Sequence, residues 1–271
     1  MVIDLIQKMG WKVKTVQRGM RKEVRGICLV LQPQVELATG RVFAAEVLAR
    51  RQLPGGGMQL PEAFVPAMEK DGGITALDQE VFRLACRLHH TWAGTPLGGL
   101  RLALNVSRRT LERPGFCRWA QATAKREGAC PAALELEVTE SALVARPARV
   151  LAQAAALRAA GFRLAVDDFG TGYSNLELLC RLEADMIKLD RSLVCAPGER
   201  AGKVIEAVAR LAGQLGAGLI CEGVETQRQA QALLRLGCRW GQGFLYARPL
   251  PPQEFFARYA QGACITVPDV V

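Results

Sequence analysis

Residues 148–190 read ARVLAQAAALRAAGFRLAVDDFGTGYSNLELLCRLEADMIKLD. A helical stretch over Ala148–Ala160 stops at Gly161, where a helix C-cap belongs. A short apolar strand follows at Arg163–Asp167, and another at Asp185–Leu189. Both strands finish in charge: Asp167 with Asp168, and Lys188 with Asp190 two residues on.

The same alternation runs outward in both directions. The other strand candidates are Ile27–Val35, Val42–Arg50, Leu102–Val106, Leu134–Val138, Gly218–Cys221 and Gly241–Phe244. Helical segments fall at Pro61–Lys70, Leu77–Trp92, Ala201–Leu215 (with Gly216 at its cap) and Thr226–Leu236. The first two strands are joined by a turn at Ala38-Thr39-Gly40, which reads as an antiparallel hairpin. Eight strands with intervening helices predict an α/β fold, a (β/α)8 TIM-like barrel made atypical by that hairpin. A doubly wound open sheet is the alternative, but no G-x-G-x-x-G follows the first strand.

The 271 residues suit one barrel-sized domain or two small ones, and a hydrophobic half of the chain can fill a large core. No stretch reaches the roughly 18 apolar residues of a membrane span. Asp4 and Lys8 interrupt the N-terminus, which has no signal-peptide core. The expected location is therefore cytoplasmic. The nine cysteines are odd in number and include no C-x-x-C pair; Cys86, Cys180 and Cys221 lie in apolar runs and read as free buried thiols. His89 and His90, adjacent in a helical stretch, are too few to build a metal site. Of the net charge of +9, residues 1–25 contribute +5, so the charge mostly describes a basic leader and argues against direct nucleic-acid binding by the barrel. The expected division is a basic N-terminal helix or linker at 1–24, a barrel at 25–262 and an apolar tail at 263–271.

Active sites of such barrels form at the C-terminal ends of the strands. Here strand after strand ends in an oxygen donor: Glu46, Asn105, Glu137, Asp167 with Asp168, Glu222 and Gln242. So many carboxylates at one mouth would repel one another unless cations neutralised them. Oxygen-only donors suit Mg²⁺ or Mn²⁺. The adjacent Asp167 and Asp168 can flank two ions, a geometry that serves displacement at a phosphoryl ester. Lys188 could orient or deprotonate an attacking water, or stabilise phosphate charge.

These residues lie in a specific series: Ala45-Glu46-Val47-Leu48-Ala49-Arg50, Leu104-Asn105-Val106-Ser107, Glu137-Val138-Thr139-Glu140, Asp167-Asp168-Phe169-Gly170-Thr171-Gly172-Tyr173-Ser174, Ile187-Lys188-Leu189-Asp190, Glu222-Gly223-Val224-Glu225 and Gln242-Gly243-Phe244. In order and spacing the series resembles the EAL cyclic di-GMP phosphodiesterases over roughly residues 27–260. The resemblance implies a barrel with one antiparallel strand, two divalent cations and hydrolysis of cyclic di-GMP to linear pGpG. It implies Glu46, Asn105, Glu137 and Asp167 as ligands of the first metal and Asp167, Asp168 and Glu222 around the second. Lys188 would act on the nucleophilic water, with Glu46 and Glu222 part of the catalytic set. Gln32, Leu48 and Arg50 match substrate-contacting positions. Glu225 and Gln242 would hold water or position neighbours, and Glu140 would anchor the loop after Asp168. A homodimer is expected as well.

Several assignments have ordinary alternatives. Lys188 and Asp190 could form a surface ion pair, Asn105 a strand-end turn and Arg50 a surface arginine, while Glu225 could serve only the dipole of the next helix. Glu135 lies nearer the start of its strand and reads as structural or solvated. The chain departs from the family signature at Val47, where alanine is usual, and at Arg51, where an aromatic residue is common. Strand alternation puts Glu46, Leu48 and Arg50 on one face and turns Val47 and Arg51 toward the surrounding helices. Three other functions compete: a cyclic di-GMP receptor, which loss of metal donors would mark; an interaction module, which has no need of converging acids; and a metal-dependent barrel that abstracts protons next to carboxylates, with Lys188 as base.

In the leader, Val2, Ile6, Met9, Val13, Val16 and Met20 recur at spacings of four and three, a heptad seam suited to a dimerising or linking helix. Deleting residues 1–24 is expected to lower the dimer population in analytical ultracentrifugation; an unchanged association constant would remove that role.

Overall fold

In the computed structural model, residues 22–171, 176–196 and 198–261 are described. The leader seam, the tail at 263–271 and Gly172-Tyr173-Ser174 lie outside the described residues. Nine strands occur among them: β1 Ile27–Glu36, β2 Val42–Gln52, β3 Met58–Gln59, β4 Arg101–Asn105, β5 Leu134–Thr139, β6 Arg163–Phe169, β7 Met186–Leu189, β8 Gly218–Cys221 and β9 Trp240–Gly241. They are hydrogen-bonded in the order β1-β9-β8-β7-β6-β5-β4-β2-β3, and β1 also pairs with β2. Eight strands thus close into a barrel, with β3 appended to the end of β2.

β1 runs antiparallel to both of its neighbours, β2 and β9, while the pairs from β2–β4 round to β8–β9 are parallel. The opening hairpin therefore supplies the single reversed strand, and Gln32 lies opposite Glu46 in its register.

The helices cover the outside. The longest described, Ile74–Trp92, buries Leu77, Val81, Ala85, Leu88 and Trp92, a stripe at helical spacing. Trp92 stacks on Phe255 of the last described helix, Pro252–Tyr259. The helices ending at Ala159 and Gln214 stop as the glycine positions predict. Gly161 and Gly216 adopt positive φ, and bonds Gly161 N–H to Arg158 O, Phe162 N–H to Leu157 O, Gly216 N–H to Gly213 O and Ala217 N–H to Ala212 O close both ends. A side chain there would be strained in the left-handed region. Thr226 caps the helix Gln227–Arg235 through a capping box with Gln229.

Three expectations change. The final strand is two residues long, not Gly241–Phe244: the chain leaves the sheet at Gln242 because Gly243 packs on the Val224 backbone, where a Cβ would lie 2.1 Å from the Val224 carbonyl. Short helices at Phe116–Glu127, Leu176–Leu182 and Pro252–Tyr259 add to those read from periodicity. Cys180 is exposed, unlike buried Cys86 and Cys221; its run is apolar, but it sits on the outer side of a seven-residue helix whose Leu178, Leu179 and Leu182 take the inner face. The eight described cysteines are free thiols.

Among the described residues no helix is long and apolar enough to cross a membrane. Core packing reaches back to Val24, and Arg51 donates to the Glu23 carbonyl. Deleting residues 1–24 would remove both contacts, whereas deleting residues 1–21 keeps them.

Val47 is 2% exposed and belongs to the core between barrel and helices. Arg51 also turns outward: its guanidinium lies 4.4 Å from the Phe64 ring centroid and contacts the Met68 sulfur. Two buried methyls lost in Val47→Ala should destabilise the fold by about 1–3 kcal/mol. The expected result is a melting temperature lowered by several degrees with turnover near the parent's; a variant with parental stability would show that Val47 is not packed as described.

Candidate active site

Two residues before each mouth residue lies a barrel-interior residue. Ala165, Met186 and Ile220, with Phe43 and Trp240 beside them, form an apolar cluster separate from the main core. Of these, Ala165, Met186, Ile220 and Trp240 precede Asp167, Lys188, Glu222 and Gln242 by two positions, along or just past the ends of β6, β7, β8 and β9. Strand alternation therefore turns those four side chains inward, one layer nearer the mouth.

Lys188 is the centre of this layer. It is 1% exposed, and its Nζ lies 2.8 Å from Glu222 Oε1, 2.9 Å from Glu137 Oε2, 3.1 Å from Asp167 Oδ1 and 3.7 Å from Glu46 Oε1. The surface ion-pair alternative is thereby excluded. Asp190 instead caps the helix Arg191–Val194, accepting from the Ser192 N–H. Asn105 Nδ2 donates to Glu46 Oε1 at 3.0 Å, so it is more than a turn residue.

One ammonium does not balance four carboxylates. Burial opposes charge on Lys188, but the carboxylates, Glu137 foremost, outweigh it and hold its pKa well above the ordinary lysine value. Burial raises Glu137 well above the carboxylate range against the pull of Lys188, with Glu46 and Asp167 adding to the rise. Burial likewise pushes Glu222 up to about 7, although its side chain keeps 20% exposure toward the mouth.

Asp167 and Asp168 are adjacent, and a regular strand would send them to opposite faces. The β6–β7 register breaks between Val166 and Phe169, and Asp168 takes a φ of 58°. Aspartate is among the few residues that tolerate this left-handed conformation. The break leaves Asp168 half-buried, its pKa raised by burial and then by Asp167 and Asp190. Glu140 is buried at the start of the helix Glu140–Ala145 and accepts from the Gly170 N–H at 3.2 Å, tying down the loop after Asp168.

Gln242 is buried, and its amide nitrogen donates to Gln32 Oε1 at 3.1 Å and to Glu46 Oε2. Gln32 donates onward to the Ala247 carbonyl. Leu48 and Arg50 stand beyond Glu46 on the same face of β2, half-buried; Arg50 Nη1 donates to its neighbour's carbonyl, Ala49 O. Glu225 is exposed and sits 3.5 Å from Arg191, outside the carboxylate cluster. Glu135 is buried at the other end of the barrel, within 3.4 Å of Arg101 and Arg163, a structural ion cluster.

Two further polar residues escape strand-end reasoning. Gln34 is fully buried and donates to Gln242 Oε1 at 3.1 Å. Asp78, on the helix Ile74–Trp92, accepts from Ser107 Oγ at 2.6 Å and the Ser107 N–H at 3.0 Å, fixing the turn after Asn105. Burial pushes Asp78 up to about 6 despite these bonds. Its only sequence signal was a polar residue one position from the apolar stripe at Leu77.

Among the described residues no three acids, thiols or imidazoles surround one open point at ligand distance; Lys188 fills the focus. The donors nevertheless fit a hard divalent cation. They are oxygens, and those of Glu137 receive no aligned hydrogen bond, Oε2 having only the ion-pair approach of Lys188.

The EAL domain family model matches residues 14–249, and the chain belongs to that family. It is 39% identical to the cyclic di-GMP phosphodiesterase PA2567 of Pseudomonas aeruginosa across 84% of this chain and 39% of that protein. It is 38% identical to the cyclic di-GMP phosphodiesterase RocR of the same organism across 83% of this chain and 57% of that one. The chain therefore spans about two fifths to three fifths of these relatives. Among solved structures it resembles the PaMucR phosphodiesterase in complex with c-di-GMP, with a TM-score of 0.81, 31% identity, and coverage of 93% of this chain and 99% of that one. It also resembles Klebsiella pneumoniae BlrP1 in a manganese and cyclic di-GMP complex, with a TM-score of 0.74, 34% identity, and coverage of 83% and 56%.

Replacing Lys188 by methionine removes the cluster's one buried cation. Breaking a buried ion pair from one side typically costs 3–5 kcal/mol. With chelator present, urea unfolding of Lys188→Met should show a loss of about that size, largely recovered in the double variant with Glu137→Gln. Parental stability of the single variant would show that the ammonium does not hold the carboxylates together.

Proposed function

We propose that this chain is a divalent-cation-dependent phosphodiesterase that hydrolyses cyclic di-GMP to linear pGpG in bacterial second-messenger signalling. The observation that carries the reading is the excess of buried carboxylate at the mouth of an EAL barrel, more than Lys188 balances. The names of the relatives and the ligands in the titles of the neighbouring structures support the substrate.

Two Mg²⁺ or Mn²⁺ ions, when bound, would supply Lewis-acid activation of the phosphodiester and of the attacking water. Glu46, Asn105, Glu137 and Asp167 would hold the first ion, and Asp167, Asp168 and Glu222 the second. Lys188, freed from its four-way pairing, would orient the water and stabilise charge on the phosphate through its ammonium, and would take the water's proton only as the neutral amine. Gln242 fixes Glu46 by donating to it. Glu140 holds the loop after Asp168. Gln32, Leu48 and Arg50 line the β1–β2 side for the nucleotide, and Arg50 offers a cation for phosphate. Glu225 lies one helix start away and would act only through its neighbours or through water. The same reading puts the protein in the cytoplasm, where its thiols stay reduced, and makes it a homodimer.

The test is incubation of purified protein with cyclic di-GMP and Mg²⁺ or Mn²⁺, with products resolved by chromatography. Appearance of pGpG is expected. Asp167→Asn should lower turnover by roughly 100-fold or more, since loss of even an outer-shell partner costs 10- to 100-fold. It should also weaken cation-dependent thermal stabilisation. A parent that binds cyclic di-GMP without cutting it would be a receptor, and an Asp167→Asn variant at the parental rate would overturn the ligand assignment.

A further inference from the structure

Glu46 is held by a chain of three glutamines, and the innermost has no role in the reading above. Gln34 Nε2 donates to Gln242 Oε1 at 3.1 Å. Gln242 Nε2 in turn donates to Gln32 Oε1 and to Glu46 Oε2. The direction of these bonds follows from the ends. Glu46 as a carboxylate only accepts, so Gln242 must face it with its amide nitrogen. Its carbonyl then points down the barrel and needs a donor there, in a place closed to water. Gln34, fully buried and one interior layer deeper on β1, provides that donor. The other end of the Gln34 amide has no partner: its Oε1 is buried without a hydrogen bond. Leaving one acceptor unsatisfied is unfavourable in a barrel interior. The amide orientation seen is the one that serves Gln242.

We infer that Gln34 is a positioning residue: by donating to the Gln242 carbonyl it prevents the Gln242 amide from turning its oxygen toward Glu46, and so holds Glu46 in its cation-binding orientation. Without that donor, the Gln242 oxygen is left unpaired, and only the bonds to Glu46 and Gln32 oppose a turn of the amide. A flipped amide sets a carbonyl dipole against a carboxylate, which repels Glu46 from its place beside Asn105 and Lys188. The inference rests on the proposed cation site for its consequence, but the orientation of Gln242 can be observed without any cation.

Two substitutions separate hydrogen bonding from packing. Gln34→Met keeps nearly the same volume and removes the donor. Gln34→Lys keeps a donor and adds a cation facing an acidic cluster. The first readout is the side-chain amide ¹⁵N–¹H pair of Gln242 in metal-free protein, assigned by its disappearance in Gln242→Glu. In Gln34→Met this pair should shift toward free-amide values and exchange faster; in Gln34→Lys it should stay near the parental position. The second readout is the Mn²⁺ concentration giving half-maximal thermal stabilisation without substrate. It should rise roughly tenfold in Gln34→Met, as for loss of an outer-shell partner, and return toward the parent in Gln34→Lys. An unmoved Gln242 amide in a folded Gln34→Met protein overturns the inference, as does a lysine variant that matches the methionine one. A moved Gln242 amide with no effect of Mn²⁺ on any variant, the parent included, confirms the orienting bond and places the failure in the cation reading.

Discussion

A buried ammonium surrounded by carboxylates governs the mouth of this barrel. Lys188 touches Glu137, Glu222 and Asp167 and lies near Glu46. At 3 Å and an effective dielectric near 20, each such contact is attractive by about 5 kcal/mol, but the carboxylates repel one another on the same scale. One positive charge does not balance four acids, and burial raises the pKa values of Glu137 and Glu222 despite the pull of Lys188. A pair of divalent cations would balance them more completely.

The rest of the fold can be understood as the scaffold for that cluster. Parallel strands β4 to β8 bring their C-terminal ends to one pole. Beneath the acids, Ala165, Met186 and Ile220 with Phe43 and Trp240 form an apolar layer. The reversed strand β1 has a separate task. Running against its neighbours, it supplies glutamines to the interior, and these tie β9 to β2 through Gln242 and Glu46. The broken register at Asp167 and Asp168 solves a different problem, since a regular strand cannot offer consecutive side chains to one site.

The barrel was legible because its signals are local. Strand runs such as Leu134–Val138, helix stops at Gly161 and Gly216, and the hairpin turn at Ala38-Thr39-Gly40 each carry their own chemistry. The acids at the mouth were legible because alternation along a strand is periodic: once Glu46 faces inward, Val47 and Arg51 must face outward, and they do. What stayed hidden depends on contacts between distant segments. Gln34 and Gln242 are 208 positions apart, and nothing in either local stretch marks their pairing. Asp78 hid beside an apolar helical stripe, and its partner Ser107 is on another strand's loop. The short final strand ended early because of Gly243 against Val224, a packing event. Cys180 lay in an apolar run but on the outward side of its helix, which residue type alone could not show.

The most direct test of the cation account is an anomalous difference map from crystals of this protein grown with Mn²⁺, collected at the manganese edge. The account predicts peaks at the barrel mouth with oxygens of Glu46, Glu137 and Asp167 at roughly 2.0–2.2 Å, in the range of oxygen ligands to a small divalent ion. It also predicts that the Lys188 ammonium withdraws from the focus it holds between these acids. A map with no peak at the mouth at saturating Mn²⁺, and Lys188 still paired to Glu137 and Glu222, would contradict it.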